Sequence, residues 1–93
     1  VSEPAEPYRL IMARSAARAL SMTLPEKVAT AVYEFVTGPL LGNPRRVGKP
    51  LHPPLAPAYS ARRGTYRVLY LINDTNCTVE VTAISHRADA YRT

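Results

Sequence analysis

The sequence predicts an α+β fold: an N-terminal strand, a helical hairpin, then an antiparallel meander, forming one sheet with the helices on one face. Three observations predict it. Residues 13–36 hold no glycine and a single proline, and their apolar side chains recur at helical spacing. Residues 66–72 and 77–85 are β-branched, aromatic and alternating, and Asn73, Asp74, Thr75 and Asn76 stand between them as a turn. A short apolar run, residues 8–12, precedes everything else. Strand, two helices and a meander in that order bury their apolar faces by stacking the helices on one side of the sheet.

Taken in chain order, residues 1–7 (VSEPAEP) read as a flexible lead-in, with acids and prolines where a signal peptide would carry cations and an apolar stretch. Tyr8-Arg-Leu-Ile-Met12 is the first strand. Residues 13–20 are rich in Ala and Arg, which favours helix. Thr23 and Glu26 have capping-box spacing, and Pro25 suits the first turn of a second helix. That helix runs to about Val36, with Val28, Val32, Phe35 and Val36 on one face, and Gly38-Pro39 ends it. Residues 39–57 contain Gly42, Gly48 and six prolines and read as a long irregular connection, with residues 47–51 able to add a strand edge. Residues 58–62 form the strand before the Arg63-Gly64 turn. The two strongest strands then complete the meander.

The chain has 93 residues, enough for one modest core. Its 46% hydrophobic and 20% charged residues are those of a globular protein rather than a disordered one. No apolar run approaches the ~18 residues of a membrane span. Cys77 is the only cysteine, so an internal disulfide is excluded and a reducing cytoplasm is expected. At the head of an alternating run, Cys77 reads as a small core residue rather than a nucleophile.

Charge is distributed unevenly. Net charge is +5, and between Phe35 and Asn73 stand six Lys/Arg with no Asp or Glu. A positive field confined to one region attracts and orients a polyanion, and nucleic acid is the simplest candidate. The competing reading is a solvated basic face. Alternation places Arg67, Leu69 and Leu71 on one face of the central strand and Tyr66, Val68, Tyr70 and Ile72 on the other. Alone, Arg67 would read as a salt-bridge partner of Glu80 or Asp89. If Ile72 pairs with Cys77 across the turn, however, Arg67 lies opposite Thr82, and the hairpin gathers Arg62, Arg67, His86, Arg87 and Tyr91 at one end of the sheet. Arginines that neutralise phosphate charge beside a His and a Tyr that can move protons suit phosphoryl chemistry. The sequence has no acidic cluster of the kind that holds a divalent cation and no Gly-rich phosphate loop, so neither metal nor cofactor is expected.

The same residues carry a family resemblance. Gly48-Lys-Pro-Leu51, the Arg-x-Gly-x-Tyr-Arg stretch from Arg62 to Arg67, and His86-Arg-Ala-Asp-Ala-Tyr91 resemble the RelE/ParE toxin superfamily, nearest to actinobacterial RelE-type toxins. The resemblance implies a single RelE-like domain over residues 8–93. It further implies a toxin of a type II toxin–antitoxin system that cuts mRNA on the ribosome in the cytoplasm, in a complex with a RelB-like antitoxin when inactive. By position, Arg67 would stabilise the phosphorane and Arg87 would bind phosphate or leaving group. Tyr91 would stack on RNA or transfer a proton, and His86 is the candidate acid or base. Arg62 and Arg63 would hold the RNA backbone. RelE enzymes of the best-defined type carry lysines on the strand before the Gly-x-Tyr-Arg turn. Here that strand reads Ala58-Tyr-Ser-Ala61, leaving Lys49, His52 or Arg62 as substitutes. The alternative within the superfamily is a ParE-like inhibitor that binds DNA gyrase and needs no catalytic cluster; a purely structural binding module is the third reading.

Overall fold

The computed structural model describes residues 8–86. The lead-in at residues 1–7 and the candidate site residues Arg87 and Tyr91 lie outside the described residues. The chain begins with strand β1 (Arg9–Met12), which passes directly into helix α1 (Arg14–Arg18). Ala16 and Ala19 are buried, and their small side chains let this helix lie close to the sheet. After Arg18 the helix widens into a π-helical turn, Ala19–Thr23, closed by the Leu24 N–H donating to the Ala19 carbonyl at 2.9 Å. The expected capping box is therefore not formed. Thr23 is consumed by the wide turn, Pro25 takes the N-cap position, and helix α2 (Glu26–Thr37) starts without a side-chain cap. Its buried stripe is the expected one: Val32, Phe35 and Val36, with Val28 half-buried.

The region after Gly38 is more regular than its prolines suggest. Two single-turn helices, α3 (Pro39–Gly42) and α4 (Pro44–Val47), each begin with a proline, whose missing N–H costs nothing in a first turn. Strand β2 (Lys49–Pro50) follows, then β3 (Tyr59–Arg63), β4 (Tyr66–Asn73) and β5 (Thr78–His86). The sheet has five strands in the order β1-β5-β4-β3-β2. The meander is antiparallel as expected, while β1 joins its far side parallel to β5. One face of the sheet carries Ala61, Val68, Tyr70, Val79 and Val81, all buried in one core with Val32, Phe35 and Val36 of α2 and Leu40 of α3. Beneath it the Tyr70 hydroxyl donates to the Pro44 carbonyl at 2.6 Å, anchoring α4 against β4.

The β4–β5 register departs from the expected one in two steps. Asn73 pairs with Thr78, so residues 74–77 form the loop and Ile72 faces Val79 rather than Cys77. Cys77 sits in that loop with φ 56° and is half-buried rather than a core residue. A β-bulge then places Thr82 between the Tyr70–Val81 and Leu69–Ala83 pairs. Its hydroxyl donates to the Leu69 carbonyl and its own carbonyl accepts from Ser15 Oγ on α1. The loop shifts the ladder by two residues and the bulge by one. Arg67 consequently pairs with Ser85, and Tyr66 with His86.

Candidate nucleic-acid interface

The face of the sheet turned away from the helices is where the basic residues meet. Residues directly opposite on neighbouring strands share a face. Arg62 of β3, Arg67 of β4 and Ser85 of β5 stand in one such row, and Lys49 of β2 and Ser60 of β3 begin the next. Lys49, Arg62 and Arg67 are exposed, and the two serines are half-buried. Two arginines directly opposed on paired strands have Cβ atoms about 5 Å apart, and like charges so opposed destabilise a sheet unless a counter-charge lies between them. Glu80 shares this face, but it pairs with Leu71, four residues along β4 from Arg67. That is about 13 Å at strand spacing, beyond ion-pair reach and beyond the screening length of about 8 Å. The ion pair found among the described residues is elsewhere. Arg45 of α4 holds Asp74 with a two-pronged contact, and the Tyr8 hydroxyl donates to the same carboxylate at 2.7 Å. The Arg45 guanidinium and the Tyr8 hydroxyl hold the Asp74 carboxyl down to about 2. This cluster ties β1, α4 and the β4–β5 loop together at the other end of β4.

Other candidates are brought to different places. His86 is half-buried at the same end of the sheet as Arg67, but its pairing with Tyr66 assigns it to the helix-covered face. The register thus brings Arg67 and His86 to one end of the sheet but on opposite faces, and the bulge at Thr82 sets that difference. Arg63 also belongs to the helix side, with its guanidinium 4.6 Å above the Phe35 ring centroid, and the same ring packs edge-on against Tyr66. Burial pushes the Tyr66 phenol up in pKa, with Arg63 opposing. His52 lies in the β2–β3 loop, where its carbonyl accepts from the Leu55 and Ala56 N–H groups, at the end of the sheet opposite Arg67. It therefore does not join the arginine row. Ser85 and Ser60 were missed from sequence. Ser85 had a legible signal: the apolar alternation of Val79 and Val81 changes phase at Ala83-Ile84, which marks the bulge that turns Ser85 toward Arg67.

An α+β fold with one sheet face under helices and the other cationic, with no acidic side chain beside Arg62 and Arg67 among the described residues, is the architecture expected of a small toxin of the RelE/ParE type. The comparisons with known proteins agree. The model of the ParE toxin family of type II toxin–antitoxin systems matches residues 13–91, and the chain belongs to that family. It is 51% identical over 86 residues to the toxin RelE of Mycobacterium tuberculosis, covering 92% of this chain and 88% of that protein. It is 49% identical to the toxin RelG of the same organism, covering 92% of this chain and 98% of that protein. Among solved structures, the RelBE2 toxin–antitoxin complex of M. tuberculosis superimposes with a TM-score of 0.85 at 46% identity, covering 88% of this chain and 100% of that chain. The isolated Escherichia coli RelE toxin, at 21% identity and a TM-score of 0.69 over 85% of this chain and 83% of that one, shares the fold. No helix among the described residues is long and apolar enough to cross a membrane.

Proposed function

We propose that this toxin is a metal-independent endoribonuclease that cleaves mRNA on the ribosome in the cytoplasm and so stops translation. The observation that carries the reading is the directly opposed, exposed Arg62–Arg67 pair on the open sheet face. Such a pair is electrostatically incomplete until a phosphodiester sits across it. In the reaction, the RNA 2′-oxygen attacks the adjacent phosphorus while its proton leaves to a base. The P–O5′ bond breaks and the departing oxygen takes up a proton, leaving a 2′,3′-cyclic phosphate and a 5′-hydroxyl. Arg67, helped by Arg62, stabilises the negative charge that accumulates on the phosphorane. Arg87 and Tyr91 take the roles assigned by resemblance, at the leaving group and in stacking or proton transfer. With His86 on the other face, Tyr91 becomes the first candidate for moving a proton. The similarity of about one half to toxins named RelE and RelG supports this reading. The name of the matching family keeps a gyrase-binding alternative in view.

The partner proposed for the resting state is a RelB-like antitoxin in a hetero-oligomeric complex, as in the RelBE2 neighbour. Its acidic residues would face Arg62 and Arg67, supplying the counter-charge that is missing among the described residues. The chemistry is tested by programming purified ribosomes with an mRNA carrying a single 2′-deoxynucleotide on the 5′ side of the scissile phosphate. Cleavage must vanish at that site and the ribose control must yield cyclic-phosphate ends. Cleavage that tolerates the deoxynucleotide would exclude 2′-hydroxyl attack.

A further inference from the structure

At the Arg67 end of the open face the cations stand in two rows, well apart from Arg9 of β1, and the spacing of the rows has its own meaning. Arg62, Arg67 and Ser85 lie in the first row and Lys49 and Ser60 in the second. Ser60 and Arg62 are two residues apart on β3, so the rows are separated by about 7 Å along the strand. Successive phosphates of an extended nucleic-acid strand are separated by a comparable step. Lys49, exposed at the outer edge of the sheet, is also one strand further out than Arg62. Its flexible stem and single ammonium suit a backbone phosphate rather than a fixed bidentate contact.

We infer that the sheet binds two consecutive phosphates of a single strand: one across Arg62 and Arg67, with Ser85 as a hydroxyl donor, and the neighbouring one at Lys49 beside Ser60. This rests on the ribonuclease reading for the identity of the ligand. The backbone then runs along β3, diagonally toward β2, between two unlike subsites. The reacting phosphate occupies the two-arginine row, where charge stabilisation is strongest, and Lys49 holds the neighbouring linkage without taking part in bond breaking. Lys49 is accordingly a positioning residue. The same layout explains how the sheet works without lysines on β3, because the second cation arrives from β2.

The test uses the full chain, free of partner, and two uncleavable probes: the 2′-deoxy dinucleotide TpT, with one internal phosphate, and the trinucleotide TpTpT, with two. Affinities are read from amide shifts in NMR titrations at several salt concentrations. The wild-type chain is expected to bind TpTpT more tightly than TpT, with the slope of log K against log salt steeper by about 0.7 for the added phosphate. In Lys49→Gln that increment is lost, with TpTpT weakened more than TpT, and Lys49→Arg restores it. Arg62→Ala weakens both probes. Equal binding of the two probes by the wild type, equal weakening of both by Lys49→Gln, or no binding of either would overturn the proposal. Because the probes lack the attacking hydroxyl, the result is independent of cleavage. Cutting on the ribosome with no phosphate increment removes the second subsite alone, and an increment without cutting leaves the subsite while removing the ribonuclease reading.

Discussion

Arg67 is asked to do the most of any side chain here, and its position makes the demand measurable. Losing one group that stabilises developing oxyanion charge lowers turnover by about 10²–10³-fold, so Arg67→Ala is expected to fall by that order in single-turnover cleavage on the ribosome. Its melting temperature should hold or rise slightly, because the change removes a like-charge cross-strand pair. His86→Ala should lose much less activity than Arg67→Ala, since its register places it on the helix-covered face. An equal loss from both variants would contradict that placement. At this scale the sequence was informative about residue type and less so about direction. Arg62 and Arg67 were legible because strand alternation is local. Arg63 was read as an RNA contact, yet it covers Phe35, a residue 28 positions earlier that only the folded packing brings beneath it.

Two elements determine the site's geometry, and each can be disturbed separately. The bulge in β5 puts Ile84 against the core and Ala83 and Ser85 on the open face. Ile84→Ser should therefore cost about 1–2 kcal/mol in denaturant unfolding, below the fully buried range because Ile84 is half-buried. An unbulged strand would leave Ile84 on the open face and the substitution near neutral. The second element is the packing of β2 over Tyr70. A Cβ at Gly48 would collide with the Tyr70 hydroxyl and come within 2.9 Å of the Ser60 carbonyl, so Gly48→Ala should destabilise by about 1–3 kcal/mol. Tyr70 itself has no exposure, and burial, with a smaller contribution from Tyr59, pushes its phenol up to about 12. The unfolded chain releases that proton near pH 10 while the folded chain keeps it, so this group's contribution is full below pH 10 and is lost between about 10 and 12. Tyr70→Phe should cost about 1–2 kcal/mol at neutral pH by leaving the Pro44 carbonyl unpaired, and should flatten the alkaline fall in stability. An unchanged alkaline limb would rule out Tyr70 as its source. Helix α2 and strands β3 to β5 could be read from periodicity. The short helices α3 and α4 could not, since single turns have no period and their stability comes from contacts such as the Tyr70–Pro44 hydrogen bond.

At the scale of the molecule, the order of elements was enough to give the α+β class and the one-sided packing of helices. The parallel docking of β1 beside β5 was not legible, because it joins residues some seventy positions apart with no local mark. The described residues present two unlike sheet faces, one closed over a core and the other open and positive toward Arg62 and Arg67. The proposed action as an mRNA-cutting toxin depends on that open face, and one measurement addresses it most directly. Primer extension on an mRNA translated in a purified system, with the wild-type chain and with Arg67→Ala, should show new cuts at ribosome-occupied codons that the substitution removes. Intact mRNA and undisturbed translation with the wild-type chain, together with inhibition of supercoiling by DNA gyrase, would contradict the account and establish the gyrase-binding alternative.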